Sequence, residues 1–205
     1  MLLGDADDPS VPNKVAWAKR RPQAKGVALV CPPELLGEHV NLEARALGEH
    51  DPLARVQVLQ RDLHALGVIL PAAMPGAPAH VVQSGTILNV WTEQPPTAPL
   101  RHLVGELRRR GRRALVGTSA NLSGQPTITD ADEVIAVFGQ RVSTILLDDF
   151  HAVPPGRRRS ATIVDLTQPQ PRLFREGSVP AGELAAELRR LGLGELVVGA
   201  DVRRV

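Results

Sequence analysis

Apolar residues in this chain follow two patterns. Some form short unbroken runs, as buried strands do, and others recur every three or four residues, as one face of a helix does. Runs at 26–31, 114–116, 142–147, 160–166 and 171–177 predict strands. A stripe of Val11, Val15 and Ala18 predicts a helix over 8–20, with Asp8 or Ser10 as its cap. Ser10 is preferred, because it places Pro12 in the first turn, where no N–H is missed. Leu53, Val56, Leu59, Leu63 and Leu66 predict a helix over 51–66, capped by Asp51, opened by Pro52 and stopped by Gly67. Leu100, Leu103, Val104 and Leu107 predict a third helix, with Gly111 as its C-cap. Val134, Ile135 and Phe138 face inward on a fourth at 130–138, and Leu184, Leu188 and Leu191 on a fifth at 180–191. Residues 67–99 read as irregular, with strand-like pieces at 79–83 and 86–91 around a tight Ser84-Gly85 turn. Leu196, Val197 and Val198 read as a short apolar tail. Strands interleaved with helices predict an α/β chain. No repeat or internal boundary divides it, so 1–205 reads as a single domain.

One stretch departs from this packing logic. After Ala114-Leu115-Val116 the chain runs through Gly117-Thr118-Ser119-Ala120-Asn121-Leu122-Ser123-Gly124-Gln125-Pro126-Thr127, a loop of small hydroxyl and amide residues. Thr129 and Asp132 then have the spacing of a helix-start capping box. Strand, small polar loop and helix aim backbone N–H groups at an anion. The same pattern also suits an ordinary strand-to-helix turn.

Composition narrows the candidate chemistry. With three Phe, two Trp and no Tyr, the core must be aliphatic. Only Lys14, Lys19 and Lys25 stand among 24 basic residues, and the net charge is +2, too little for a nucleic-acid coat. The arginines cluster, at 108–113 and 157–159 among other places. Lys19-Arg20-Arg21-Pro22-Gln23-Ala24-Lys25 either complements a helix C-terminus or clamps a phosphate. Cys31 is the sole cysteine and the six histidines are scattered, which argues against disulfides and against a structural metal. No run approaches the ~18 apolar residues of a membrane span. The chain therefore reads as cytoplasmic.

Four stretches match one family in order: Lys-Arg-Arg-Pro at 19–22, Thr-Ser-Ala-Asn-x-Ser-Gly-x-Pro at 118–126, Thr-Ile-Val-Asp at 162–165 and Leu-Phe-Arg-x-Gly at 173–177. Together they resemble the Sua5/YrdC/YciO family of threonylcarbamoyl-adenylate synthases, most clearly over 5–31 and 110–180. The resemblance implies a twisted mixed β-sheet with flanking helices around a basic cleft. It also implies condensation of ATP, L-threonine and bicarbonate into threonylcarbamoyl-AMP and pyrophosphate, with Mg²⁺, for the t6A modification of tRNA. Binding of double-stranded RNA has also been described in the family. No protein nucleophile is needed; catalysis is positioning and charge neutralisation. By resemblance, Lys19, Arg21 and Lys25 would grip the triphosphate. Ser119, Asn121 and Thr127 would face the nucleotide, Arg175 would close the opposite wall, and Thr118 and Ser160 would serve the substrate side. The run at 108–113 stays a solvated face, and 157–159 is a candidate phosphate or tRNA contact.

The chain departs from the family pattern at its start, where the Pro-Thr-Asp-Thr strand would be ending at Leu2-Leu3-Gly4-Asp5. It also departs at Met74-Pro75-Gly76-Ala77-Pro78, a reduced form of a longer family motif, and it has no Arg-x-Pro before residue 110. The serine expected at 161 stands at 160, and one step along a strand turns a side chain to the other face unless a bulge corrects it. The pattern therefore carries two readings: a divergent synthase, or a catalytically impaired paralogue that binds nucleotide or double-stranded RNA.

Overall fold

The computed structural model describes residues 1–21, 26–42, 51–92, 99–128, 130–145 and 159–204. Among the described residues eight strands form one mixed sheet: β1 (Leu2–Asp5), β2 (Ala28–Val30), β3 (Leu66–Pro71), β4 (Thr86–Trp91), β5 (Leu115–Thr118), β6 (Thr162–Asp165), β7 (Arg172–Glu176) and β8 (Val197–Arg204). Their order is β1-β5-β2-β4-β3-β6-β7-β8. The α-helices among the described residues flank it: α1 (Val11–Lys19), α2 (Pro52–Asp62), α3 (Pro99–Arg109), α4 (Ala131–Phe138) and α5 (Ala181–Arg190).

Alternation on the strands gives the sheet two buried faces. Leu29 and Val116 join the main core, with Val56 and Leu59 of α2 and Leu184 and Leu188 of α5. Their neighbours Val30 and Leu115 turn the other way, onto Trp91 and Val104, where α3 covers the sheet. A third cluster packs Leu2, Ala18, Ala120 and Phe138, so α1, α4 and the loop after β5 share one small core.

A buried polar clasp joins the middle of the sheet. The Asn89 carboxamide accepts from Cys31 N at 3.1 Å and donates to Cys31 O and to Gln60 Oε1, both at 3.1 Å. It bridges β4, the end of β2 and α2, and each side-chain group is satisfied, as burial demands.

Several local expectations change. The helix at 51–66 ends at Asp62, where Leu63 is already extended and Ala65 takes a left-handed turn at φ 63°. Leu66 and Gly67 open β3, so Gly67 stops nothing and 67–99 is not irregular as a whole. Ser84 and Gly85 make the tight turn at φ 50° and 77°, the left-handed pair a type I′ hairpin requires. The partner of β4 is β3; residues 79–81 form a 3-10 turn instead of a strand. Asp130, extended and accepting from Glu133 N at 3.0 Å, caps α4, and Thr129, expected to open a capping box with Asp132, lies outside the described residues. Ile135 is exposed. Residues 142–145 are not a strand, although Val142 packs beside Phe138. The tail is the edge strand β8, parallel to β7. The proline-rich connector at 95–96, the segment 146–158 with Arg157 and Arg158, and Lys25 lie outside the described residues.

Candidate functional site

The end of α1 sets the site. Pro12 lies in its first turn, but Ser10 caps nothing with its hydroxyl. The Asp8 carboxylate instead accepts from Ser10 N at 2.8 Å and Ser10 Oγ at 2.6 Å. At the other end Arg20 adopts the left-handed conformation, φ 50°, and Arg21 N reaches back to Ala16 O at 2.9 Å. This five-residue return terminates the helix. Val15 and Ala18 are buried, and Lys19 goes under with them at 3 % exposure.

The Lys19 ammonium is aimed into the loop after β5. It donates to Ser119 O at 2.5 Å and Asn121 Oδ1 at 2.7 Å, with Thr118 Oγ1 and Ser119 Oγ at 3.4 Å. Ser123 N answers by donating to Lys19 O at 3.0 Å. Asn121 organises the loop around that charge. Its Oδ1 also accepts from Ser119 Oγ at 2.5 Å, and its Nδ2 donates to Leu122 O at 3.0 Å and Gln125 O at 2.7 Å. Both donors and both lone pairs are thus in use. Ile128 N closes the lobe on Ala120 O at 2.9 Å.

The far side of the loop meets the lead-in to β6. Thr127 Oγ1 lies 2.9 Å from Ser160 Oγ. Ser160 therefore turns toward the loop and not away from it. It precedes the first paired residue of β6, so strand alternation does not dictate its direction. The neighbouring Ala161 O accepts two bonds from Arg175, from Nε at 3.0 Å and Nη2 at 2.8 Å. Burial lowers the pKa of the Arg175 guanidinium, and that of Arg21 for the same reason. Arg21 Nη2 reaches Gly26 O at 3.4 Å.

Two residues that hold this wall stand in the Thr-Ile-Val-Asp and Leu-Phe-Arg-x-Gly stretches without a role assigned from sequence. Thr162 is wholly buried; its hydroxyl donates to Val179 O at 2.7 Å and accepts from Gly177 N and Val179 N at 2.9 and 3.0 Å. Gly177 is there for space, since a Cβ would stand 2.0 Å from Ser160 O.

The structure thus joins Lys19, Thr118, Ser119 and Asn121 on one side of the loop, and Thr127, Ser160 and Arg175 on the other. Among the described residues no group of three histidines, cysteines or carboxylates could hold a metal. The loop offers hydroxyl oxygens, which suit the water shell of a cation carried on a phosphate ligand. The arginine run at 108–113 is spoken for. Arg108 pairs with Glu38 at 2.8 Å, Arg109 and Arg110 with Glu106 at 2.5 and 2.9 Å, Arg112 with Asp5 at 3.3 Å and Arg113 with Asp7 at 2.5 Å.

A family model named for Sua5, YciO and YrdC, and described as "Telomere recombination", matches residues 1–177. A provisionally named threonylcarbamoyl-AMP synthase of Mycobacterium leprae (strain TN) is 38% identical over 71 residues, 35% of this chain and 30% of that relative. P. abyssi Sua5, solved in complex with L-threonine, superposes with a TM-score of 0.65 at 18% identity, over 99% of this chain and 52% of its own. E. coli YciO superposes at 0.61 and 17% identity, over 85% of this chain and 77% of its own. The chain thus spans about half the length of the P. abyssi protein, and these structural likenesses establish the fold.

Proposed function

The chain belongs to the Sua5/YciO/YrdC family, and from that premise we propose that it makes threonylcarbamoyl-AMP from ATP, L-threonine and bicarbonate, the adenylate used for t6A modification of tRNA. The observation that carries this reading is the convergence of Lys19, Ser119 and Asn121 at one end of a small polar loop whose other end touches Ser160. The M. leprae relative's name and the threonine held by P. abyssi Sua5 support it.

The chemistry asks little covalent work of the protein. The threonine amine and bicarbonate give a carbamate and water. A carbamate oxygen then bonds to the α-phosphorus of ATP as the bond to the leaving pyrophosphate breaks. Lys19 and Arg21 would lie along the phosphates, and the hydroxyls of Ser119 and Thr127 would orient them. Arg175 and Ser160 would close the opposite side, with Thr118 at the substrate. Mg²⁺ would enter with the triphosphate and neutralise its charge, its waters meeting the loop oxygens. Positioning and preorganised charge supply the acceleration. The test is pyrophosphate release by the purified chain. Release that requires ATP, L-threonine and bicarbonate together is expected; release independent of threonine would overturn the reading.

A second reading has its own observation. Lys19 gives its charge to Ser119 O and Asn121 Oδ1, and Arg175 gives two N–H groups to Ala161 O. Cations held by protein oxygens favour a paralogue that binds nucleotide or double-stranded RNA without turnover. Nucleotide binding with no pyrophosphate release would select it.

A further inference from the structure

Gln83 lies outside the residues assigned to the site, yet the sheet brings it to the same end. β2 runs antiparallel to β5 with Ala28 opposite Gly117, so the register carried two residues further sets Gly26 level with Ser119. β4 runs parallel to β2 on its other side and begins at Thr86. Thr86 N and O both bond Gln83, on the side of β4 away from β3, so Gln83 fills the space between Thr86 and Gly26. Neighbouring strands lie ~4.8 Å apart, which sets Gln83 about two spacings, roughly 10 Å, from Ser119.

The contact with Gly26 is close. A Cβ there would stand 1.7 Å from Gln83 Nε2 and 2.6 Å from its Cδ, so the carboxamide occupies room that only a glycine leaves. Arg21 Nη2 reaches the carbonyl of the same glycine at 3.4 Å. The backbone of Gln83 is fixed as well. Its N donates to Thr86 O at 2.8 Å, and its O accepts from Thr86 N at 2.9 Å and Thr86 Oγ1 at 2.8 Å. The left-handed pair Ser84 and Gly85 closes this turn in two residues. An exposed glutamine ordinarily keeps its rotamer freedom, and the seat on Gly26 removes it here. Among the described residues no hydrogen bond holds the carboxamide, so its donor and acceptor stay open to solvent.

A restrained carboxamide beside a phosphate-binding loop offers one kind of recognition. It is neutral, so it adds little to the hold on phosphates. It places a donor and an acceptor side by side, the complement of adenine's N7 and 6-amino group, whereas guanine presents two acceptors on that edge. The distance from Ser119 suits a nucleotide whose phosphates lie on the loop and whose base extends along the end of the sheet. We infer that Gln83 reads this base, with Nε2 donating to N7 and Oε1 accepting from the 6-amino group, and that Gly26 is the seat that aims it. The inference rests on the reading of the site as an ATP site, and it names the residue that selects ATP over GTP.

The test is calorimetric titration of the full chain with ATP and with GTP, each with Mg²⁺ and without threonine or bicarbonate, so that no turnover intrudes. The wild-type chain should prefer ATP by about tenfold or more, the scale of one bidentate base contact. Gln83→Met, unbranched and of similar length, should bring the two affinities within about threefold of each other by weakening ATP. Gln83→Lys, which only donates, should move the preference toward GTP. Gly26→Ala should act like Gln83→Met although Gln83 is still present, because the new methyl displaces the flexible end of that side chain, and its melting temperature should stay near wild type. Combined, the Gly26→Ala and Gln83→Met changes should do no more than either alone. A preference unchanged in Gln83→Met overturns the inference, and so does an equal loss for both nucleotides, which marks a ribose or phosphate contact. Threonine-dependent pyrophosphate release with unaltered selectivity in the variants overturns the inference and leaves the synthase reading in place. Gln83-dependent selectivity with no release does the reverse. No binding of either nucleotide at about 1 mM, the weak end of enzyme substrates, overturns both.

Discussion

Thr127 Oγ1 and Ser160 Oγ lie 2.9 Å apart, although β2, β4 and β3 separate the strands they follow and precede. Adjacent strands rotate by about 20–25°, so four steps turn β6 roughly 90° from β5. The loop after β5 can then meet the residues that lead into β6. This hydrogen bond should be energetically real. In a double-mutant cycle of Thr127→Val and Ser160→Ala, a coupling of about 0.5–1.5 kcal/mol is expected from denaturant unfolding. Purely additive losses would mean that the contact contributes nothing.

Asn121→Ala removes two donors from the loop carbonyls and one acceptor from a buried ammonium. The loss should be about 2–4 kcal/mol in chemical denaturation, the range for orphaning a buried charged group's partner. Asn121→Asp keeps the acceptor but turns oxygen on Leu122 O and Gln125 O, and should recover less than half. A cost under about 0.5 kcal/mol for Asn121→Ala, the scale of an ordinary surface change, would show that the loop does not depend on it.

Gly177→Ala forces a methyl to 2.0 Å from the Ser160 carbonyl oxygen, which is backbone and cannot swing aside. A destabilisation of about 2 kcal/mol or more is expected, in the range of overpacking with a backbone shift. Ser160 should also leave Thr127, so the coupling measured above should vanish in this background. A tolerated alanine would place the wall elsewhere.

His39 is wholly buried. Burial lowers its pKa from 6.5; the Gly76 carbonyl and Glu38 oppose the shift without offsetting it, and Arg113 and Arg108 reinforce it. His80 is lowered in the same direction, again chiefly by burial. With the folded pKa below the unfolded one, the unfolded chain binds more protons in that interval. Stability should be level above about pH 7 and fall as pH drops through about 6.5, the unfolded histidine value. Thermal midpoints at pH 7.5 and 5.5 measure the slope, and His39→Asn should reduce it. An unchanged slope in the variant would assign the acid sensitivity to other groups.

The elements most legible in sequence were those with unambiguous periods. The helices at 52–62, 99–109 and 181–190 and the strands β2, β5, β6 and β7 follow their apolar spacing. β3 was hidden because Leu63 and Leu66 continue the spacing of α2, and the break between them uses Ala65 in a conformation glycine usually supplies. β8 was hidden because Gly199, Asp201 and two arginines have low strand propensity, and pairing to β7 supplies what propensity lacks. At the candidate site, motif order singled out the loop after β5. It could not show that Lys19 is buried within that loop, because a lysine ending a helix reads as exposed. Nor could it give a role to Thr162, which opens the Thr-Ile-Val-Asp stretch, because its hydroxyl serves three backbone partners that lie fifteen or more residues along the chain.

The ion pairs along 108–113 have a kinetic corollary. An arginine facing a carboxylate within 3.3 Å presents a dipole to anything approaching from solution, and a dipole's field fades faster than a charge's. Arg109 and Arg110 share Glu106, so the most basic segment of the described chain, five arginines facing four carboxylates, keeps only a small part of its charge for the long-range capture of a polyanion. Any steering of a polyanion would then fall to cations with no carboxylate partner among the described residues, such as Arg20 and Arg141 at the end of α1. Raising ionic strength should then slow association far more than it hastens departure.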